Sequence, residues 1–112
     1  MRGAQPHIRD ILERAELCAA WVAEGVEVYN HPGIRGIERR YAMRLAFLEI
    51  AEAASRLPEE FRAAHPEIPW AEIRGMRNIV AHAYQHVNDR ILWRVIAEAL
   101  PDVVAELRAA AE

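Results

Sequence analysis

Apolar residues in this 112-residue chain recur at intervals of three and four, and no stretch alternates convincingly with the period of two that a half-buried strand needs. Ile8, Ile11, Leu12, Ala15, Ala19 and Val22 keep the i, i+3, i+4, i+7 spacing and predict a first helix from about Pro6 to Glu24. Gly25 and Asn30-His-Pro-Gly33 break it, and Gly36 is expected to keep the connection loose. A second helix follows from about Ile37 to Leu57, with Met43, Phe47, Ile50, Ala54 and Leu57 on one face. Pro58 stops it and opens a short helix over Glu59 to Ala64, because proline is tolerated in a first turn.

His65-Pro-Glu-Ile-Pro69 forms a rigid connector, and Pro69 starts a fourth helix that runs as far as Tyr84, with the chain turning at Gln85 to Asn88. Asn88 is the N-cap of a fifth, which carries Leu92, Ile96, Ala99, Val103 and Leu107 inward and is kinked or split by Pro101 near Leu100. The expectation is an all-α helical bundle of four main helices plus one short helix, a single domain over residues 1–112. A chain of this length supports one core but not two.

Composition narrows the function. Hydrophobic residues make up 53% and charged residues 28%, an ordinary globular balance. The net charge of −3 supplies no global field to recruit nucleic acid, so any RNA contact must come from a local patch. Cys18, the sole cysteine, excludes an intrachain disulfide and a cysteine-based zinc site, and its place on an apolar stripe makes it a core residue. The longest uncharged apolar run, Leu17 to Ala23, is far short of a membrane span, and the N-terminus lacks a signal-peptide stretch. A cytoplasmic protein is the default expectation.

The chemistry concentrates in Arg77-Asn-Ile-Val-Ala-His-Ala-Tyr84, which spaces its residues as Arg-x4-His-x-Tyr. Histidine moves protons near neutral pH, and arginine holds developing negative charge on a phosphate. At roughly 100° per residue, Ile73, Met76, Ile79, Val80, Ala83 and Val87 form the core face of this helix. Arg74, Asn78, His82 and Gln85 lie within about 40° of a common line on the other side. Arg77 and Tyr84, seven apart, nearly coincide in angle, whereas Arg77 and His82 are separated by roughly 140°. On an ideal helix those two grip one phosphate poorly, and a two-fold dimer packed on this face brings Arg77 of one chain toward His82 of its partner.

On composition alone the same face is simply the solvated side of an amphipathic helix. His82 and His86 are i+4 neighbours, but no carboxylate completes a ligand set, so no metal is expected there. Arg39, Arg40 and Arg44 make a small basic patch that, taken alone, is solvated surface. Trp21, Trp70 and Trp93 are core anchors, and His31 and His65 are ordinary polar residues beside prolines.

The segment Glu67-Ile-Pro-Trp-Ala-Glu-Ile-Arg-Gly-Met-Arg-Asn-Ile-Val-Ala-His-Ala-Tyr84 closely resembles the HepT-like toxins of the HEPN superfamily. The family's Pro-x-Ile-Pro-Trp, Gly-Met-Arg-Asn and His-x-Tyr pieces stand in order at Pro66 to Trp70, Gly75 to Asn78, and His82 with Tyr84. Arg40-Tyr-Ala-Met and Glu49-Ile-Ala-Glu-Ala-Ala54 look like the family's second helix, and Trp93 and Leu100-Pro101 also fit. The resemblance spans about Asp10 to Leu107. It implies a helical homodimer with the motif at the two-fold interface. It also implies a ribonuclease toxin whose MntA-type nucleotidyltransferase antitoxin transfers AMP to the motif tyrosine, in a toxin–antitoxin pair of the type VII kind.

Carried over by position, Arg77 and His82 are the catalytic pair, Asn78 the supporting polar residue and Tyr84 the AMP acceptor. RNA is the substrate, with no cofactor and no metal. The chain departs from the pattern at Ala83, where the family is often acidic, at Ala51, where glycine is common, and at Gln85-His86 in place of an aromatic-glycine turn. The alternative function is a catalytically inactive HEPN nucleotide-binding or interaction module that is partner and substrate of the nucleotidyltransferase. The acidic net charge and Ala83 favour it; the intact Arg77 and His82 favour the nuclease.

Overall fold

The computed structural model of the protein describes residues 3–111, and among them every regular element is a helix. Helix α1 spans Gln5–Ala23, α2 Val26–Tyr29, α3 Ile34–Ser55, α4 Glu59–Ala64 and α5 Trp70–His82. A 3-10 turn over Tyr84–His86 follows, then α6 (Asp89–Arg94), a π-helical turn (Val95–Ala99) and α7 (Leu100–Ala111). Since α6, the π turn and α7 run on without a break, the main helices number four, as the sequence predicts. Two short helices accompany them rather than one, α2 being the addition. No helix among the described residues is long and apolar enough to cross a membrane.

Helix α1 buries Ile8, Ile11, Ala15 and Cys18, one stripe at three- and four-residue steps, against α3 and α7. Helix α3 answers with Met43, Ala46, Phe47, Ile50 and Ala54. Gly25 ends α1 with φ +100°, a conformation that favours glycine, and the chain turns at once into α2. Tyr29 from α2 is fully buried, with its ring 5.0 Å from that of Trp93. The connection into α3 is tight rather than loose. α3 starts at Ile34, and a Cβ on Gly36 would lie 1.9 Å from the His31 carbonyl oxygen. Gly36 is therefore a packing position inside the first turn of α3, where the preceding loop presses on the helix.

Two further departures concern helix register. The fourth helix ends at His82, two residues before the predicted limit at Tyr84. Ala83 leaves helical geometry (φ −140°, ψ 45°), and the 3-10 turn and extended Val87 carry the chain to Asn88. Asn88 caps α6 as expected, its side chain accepting from the backbone N–H groups of Arg90 and Ile91. In the last helix Leu92, Ile96 and Leu107 are buried as predicted, but Ala99 is exposed and Leu100 is buried in its stead. Leu100 follows Ile96 by four residues, as much a helical step as the predicted three. A π turn over Val95–Ala99 stands just before Pro101, which has no N–H to donate and clashes with the carbonyl four residues back.

Helix α5 leans on α3. On the side of the C-terminal helix it borders an apolar cleft of about 370 Å³ lined by Ile11, Phe47, Ile73, Met76, Val103 and Leu107, among others. Packed mainly on one neighbour, α5 buries a narrow stripe. Val80 is buried and Ile73 and Met76 are partly so, while Ile79, at the edge of the predicted core face, is exposed.

Candidate active site

The last two turns of α5 carry the site, and the middle of α3 supports it. The Nε of Arg77 donates to Oε1 of Glu52 at 2.6 Å, and its Nη2 makes an ion pair with the same oxygen. One carboxylate oxygen thus holds one edge of the guanidinium. The remaining nitrogen, Nη1, donates to Oδ1 of Asn78 at 3.1 Å and lies 3.4 Å from Nε2 of His82. With the imidazole proton on Nδ1, the single lone pair of Nε2 accepts from Arg77 Nη1, and it becomes available to a substrate proton when Nη1 turns to a phosphate. Arg77 is half-buried, and Asn78 and His82 are exposed.

Arg77 and His82 therefore meet within one protomer, against the expectation from an ideal helical wheel. The angle between their Cα positions is unchanged; the length of arginine closes it. Five residues rise about 7.5 Å along a helix, a distance an extended arginine side chain spans. Glu52 fixes where that side chain points.

Glu52 is the site residue that the motif does not contain. Its signal in the sequence lies on another helix. Ile34, Tyr41, Leu45 and Glu52 fall along one line of α3 at roughly 100° per residue, each within about 20° of that line. A carboxylate that ends an apolar stripe on the neighbouring helix is a candidate partner for the motif arginine.

Tyr84 lies beyond the end of α5, in the 3-10 turn, and its side chain is 67% exposed. The angular coincidence with Arg77 presumed a continuous helix and does not survive the break at Ala83. What remains is an accessible phenol two residues from His82.

The basic patch on α3 is taken up by the fold. Arg39 is paired through two nitrogens with Glu24 at 2.6 and 3.0 Å. Arg40 donates to the carbonyl oxygens of Tyr29 and His31 at 2.7 and 3.0 Å, and Arg44 grips Asp89. His31 accepts from the backbone N–H of Gly33 at Nδ1. His65 places Nδ1 3.4 Å from Glu67 and 3.5 Å from Glu106, linking the connector to α7. Trp21, Trp70 and Trp93 pack partly buried against the core, as expected. Cys18 is a core residue, and burial pushes its thiol from 9.0 up to about 11.

A guanidinium and an imidazole held together at the solvent edge mark the class as a small helical bundle with the groups that metal-free phosphodiester chemistry calls on. Comparison with known proteins makes the class specific. The family described as Ribonuclease HepT-like matches residues 32–110, and the chain belongs to it. A presumed RNase of Caldanaerobacter subterraneus subsp. tengcongensis is 32% identical over 108 residues, 96% of this chain and 94% of the relative. A probable ribonuclease HepT of Thermococcus cleftensis is 31% identical over 102 residues, 91% of this chain and 90% of its own. A presumed RNase of Methanocaldococcus jannaschii is 35% identical over 68 residues, covering 61% and 62% of the two chains. No solved structure matches the chain closely.

Proposed function

We propose that the chain is a metal-independent endoribonuclease in which Arg77 and His82 act together on one phosphodiester. The observation that carries this reading is the 3.4 Å approach of Arg77 Nη1 to His82 Nε2, with Glu52 on the guanidinium's other edge. His82 takes the proton of a ribose 2′-hydroxyl, and that oxygen attacks the adjacent phosphorus. Arg77 stabilises the charge that develops on the equatorial oxygens, and Asn78 keeps Nη1 aimed. The P–O5′ bond breaks and the departing 5′-oxygen takes a proton from water, leaving a 2′,3′-cyclic phosphate and a 5′-hydroxyl. A DNA strand lacks the nucleophile and is inert.

The test uses a labelled single-stranded RNA and the same sequence in DNA, both in excess EDTA. RNA cleavage with cyclic-phosphate ends is expected, and DNA should survive. Cleavage that persists in a His82→Ala protein, or that EDTA abolishes, overturns the mechanism.

The protein is further proposed to work as a two-fold dimer, with the contact beside the site. Helix α3 exposes Ile34, Tyr41 and Leu45 at 70%, 66% and 56%, on the line that ends at Glu52. A second copy covering this stripe would bring the two Arg77–His82 sites near each other, and an isologous contact of this kind is the commonest symmetric solution. Light scattering at micromolar concentration should return twice the 12.8 kDa chain mass. Leu45→Glu should halve it. A wild-type monomer removes the dimer from the proposal and leaves the intrachain pair intact.

As the toxin of a HepT/MntA-type pair, the chain would be silenced by AMP transfer to Tyr84. Support comes from the motif and from the exposure of the phenol. The hydroxyl oxygen attacks the α-phosphorus of ATP and pyrophosphate leaves, which installs bulk and negative charge two residues from His82. Intact mass measurement with a cognate nucleotidyltransferase and Mg-ATP should show AMP adducts that vanish in Tyr84→Phe. Adducts unchanged in Tyr84→Phe refute the acceptor, and a modified protein that still cleaves RNA refutes the switch. Adducts on a wild type that never cleaves RNA would instead favour the inactive partner-protein reading.

A further inference from the structure

Next to Arg77 the surface sinks into a recess of about 280 Å³ between α3, α4 and α5. Arg62 from the last turn of α4 lines it, as do Arg74 and Arg77 from neighbouring turns of α5. Ser55 and Asn78 add neutral polar groups, and Trp70 adds an aromatic wall. No carboxylate is among the described residues that line it.

Arg14, Arg39, Arg40, Arg44 and Arg77 are held by carboxylates or carbonyls of the protein itself. Of the arginines that have no ion-pair partner within 4.0 Å among the described residues, Arg62 and Arg74 share this one recess. In a chain of net charge −3, two cations left without counter-ions around one concavity mark a place for an anion from outside. Carboxylates do lie nearby, since Glu59 and Glu72 line a shallower depression on the outer side of Arg62 and Arg74. They sharpen the recess as the local positive site rather than extending it over the surface.

The aromatic wall beside the cations is fixed. The indole N–H of Trp70 donates to the carbonyl oxygens of Arg62 and His65, at 3.1 and 3.0 Å. This ties the end of α4 to the start of α5 and stops the ring from turning. A held aromatic ring in a cationic groove is the combination that takes a nucleobase and its phosphate without reading sequence. The recess is small and concave, so it admits a single strand and excludes a duplex. Arg74 precedes Asn78 by four residues, about 6 Å along the axis, and His82 by eight, about 12 Å. An anion held at Arg62 and Arg74 therefore sits about one turn from Asn78, which holds Nη1 of Arg77, and two turns from His82.

We propose that this recess is a single-stranded RNA subsite in which Arg62 and Arg74 hold the phosphate neighbouring the one that Arg77 and His82 attack, with Trp70 as the stacking wall. The subsite rests on the ribonuclease reading above for its register but not for its binding, and the two separate in experiment.

The binding arm uses the His82→Ala protein, which cannot consume its ligand, and a short fluorescent single-stranded RNA followed by anisotropy across a salt series. Replacing Arg62 and Arg74 with glutamine should weaken binding on the order of tenfold. The salt dependence should flatten by roughly 0.7 log units per log unit of salt for each phosphate that is no longer neutralised. Arg62→Lys with Arg74→Lys should keep most of the salt slope. Arg35→Gln, about 30 Å away along α3, should change neither quantity. In the cleaving protein the same double glutamine variant should raise KM and leave kcat near its original value. Unchanged affinity and slope in the folded double variant, or a protein that binds no RNA, overturns the subsite. RNA bound through these arginines but never cut sustains the subsite and sinks the nuclease mechanism alone.

Discussion

Two arginine–carboxylate pairs reach out from α3, at similar exposure, and they do different things. Arg44 meets Asp89 through two separate bonds, Nε to Oδ1 at 2.9 Å and Nη2 to Oδ2 at 2.5 Å. The Tyr29 hydroxyl closes the group by donating to the Asp89 backbone carbonyl at 2.7 Å. Hydrogen bonding to Asp89 raises the Arg44 pKa further above its ordinary value. Asp89 is also the first residue of α6, where negative charge suits the helix N-terminus. This is a clasp that fastens α2 and α3 to α6, with both carboxylate oxygens taken up inside the fold. In the second pair Glu52 uses one oxygen for two arginine nitrogens and leaves Nη1 facing His82 at the surface. The ion-pair chemistry is the same, and the difference is that the Arg77 guanidinium keeps an edge facing His82, the edge the proposed cleavage would use.

Substitution should separate the two. His82→Ala should lower RNA cleavage by about 10² to 10⁴-fold, the usual contribution of a general base. Arg77→Ala should lower it by about 10² to 10³-fold, as for the loss of one charge-stabilising donor. Thermal unfolding of both variants should stay within a few degrees of wild type, since His82 is exposed and the half-buried Arg77–Glu52 pair contributes roughly 1 kcal/mol. Asp89→Ala should show the opposite profile. It leaves Arg44 half-buried and unpaired, which costs about 1–2 kcal/mol and several degrees in Tm, while kcat per folded molecule is unchanged. An Arg77→Ala protein that unfolds, or an Asp89→Ala protein that stays stable but inactive, would erase the distinction.

A smaller effect tests whether Glu52 acts through Arg77. Glu52→Ala frees the guanidinium, and kcat should fall on the order of tenfold through lost orientation. Glu52→Gln keeps an acceptor oxygen for Nε and should recover most of that loss. Equal kcat in both variants would mean that the carboxylate positions nothing. A loss of Tm as large as that in Asp89→Ala would make it a second clasp.

The same contrast governs what is legible in the sequence. Ile8, Ile11, Ala15 and Cys18 announce their helix because a buried stripe repeats with the helical period, and the Asn88 cap is legible because its chemistry is local. Arg77, Asn78 and His82 are legible by spacing and by resemblance. Their mutual contact is not, because it depends on a long, flexible side chain and on Glu52, twenty-five residues away. The end of α5 at His82 is hidden for a similar reason. Ala83 and Val87 fit a continuing apolar face, and only the competing demand of the Asn88 cap and the 3-10 turn ends the helix early. The clasp is invisible as such, since Arg39, Arg40 and Arg44 look in sequence like one solvated patch until Glu24, Tyr29 and Asp89 arrive from other elements.

Alkaline pH should draw the finest line between the two regions. Burial raises the Tyr29 pKa from 10.0, with the nearby Asp89 charge adding to it and the Arg44 and Arg40 charges partly offsetting it. Burial likewise raises Cys18 from 9.0 to about 11. Both folded-state values lie above the unfolded ones, so the unfolded chain releases these protons first. The stability contribution of Cys18 is therefore whole below pH 9 and disappears between 9 and about 11, and that of Tyr29 begins to fall above pH 10. Each group steepens the decline by at most about 1.4 kcal/mol per pH unit within its window. Denaturant unfolding of wild type from pH 8 to 11 should show that decline. Cys18→Ala should remove the part that begins at pH 9, and Tyr29→Phe the part above pH 10, the latter from a lower starting stability because its hydrogen bond to Asp89 is gone. Glu52→Gln should follow the wild-type curve, because neither buried group touches the Arg77–His82 surface. If the Glu52→Gln curve flattens while that of Tyr29→Phe does not, the alkaline sensitivity belongs to the active site, and the clasp is not the titrating element.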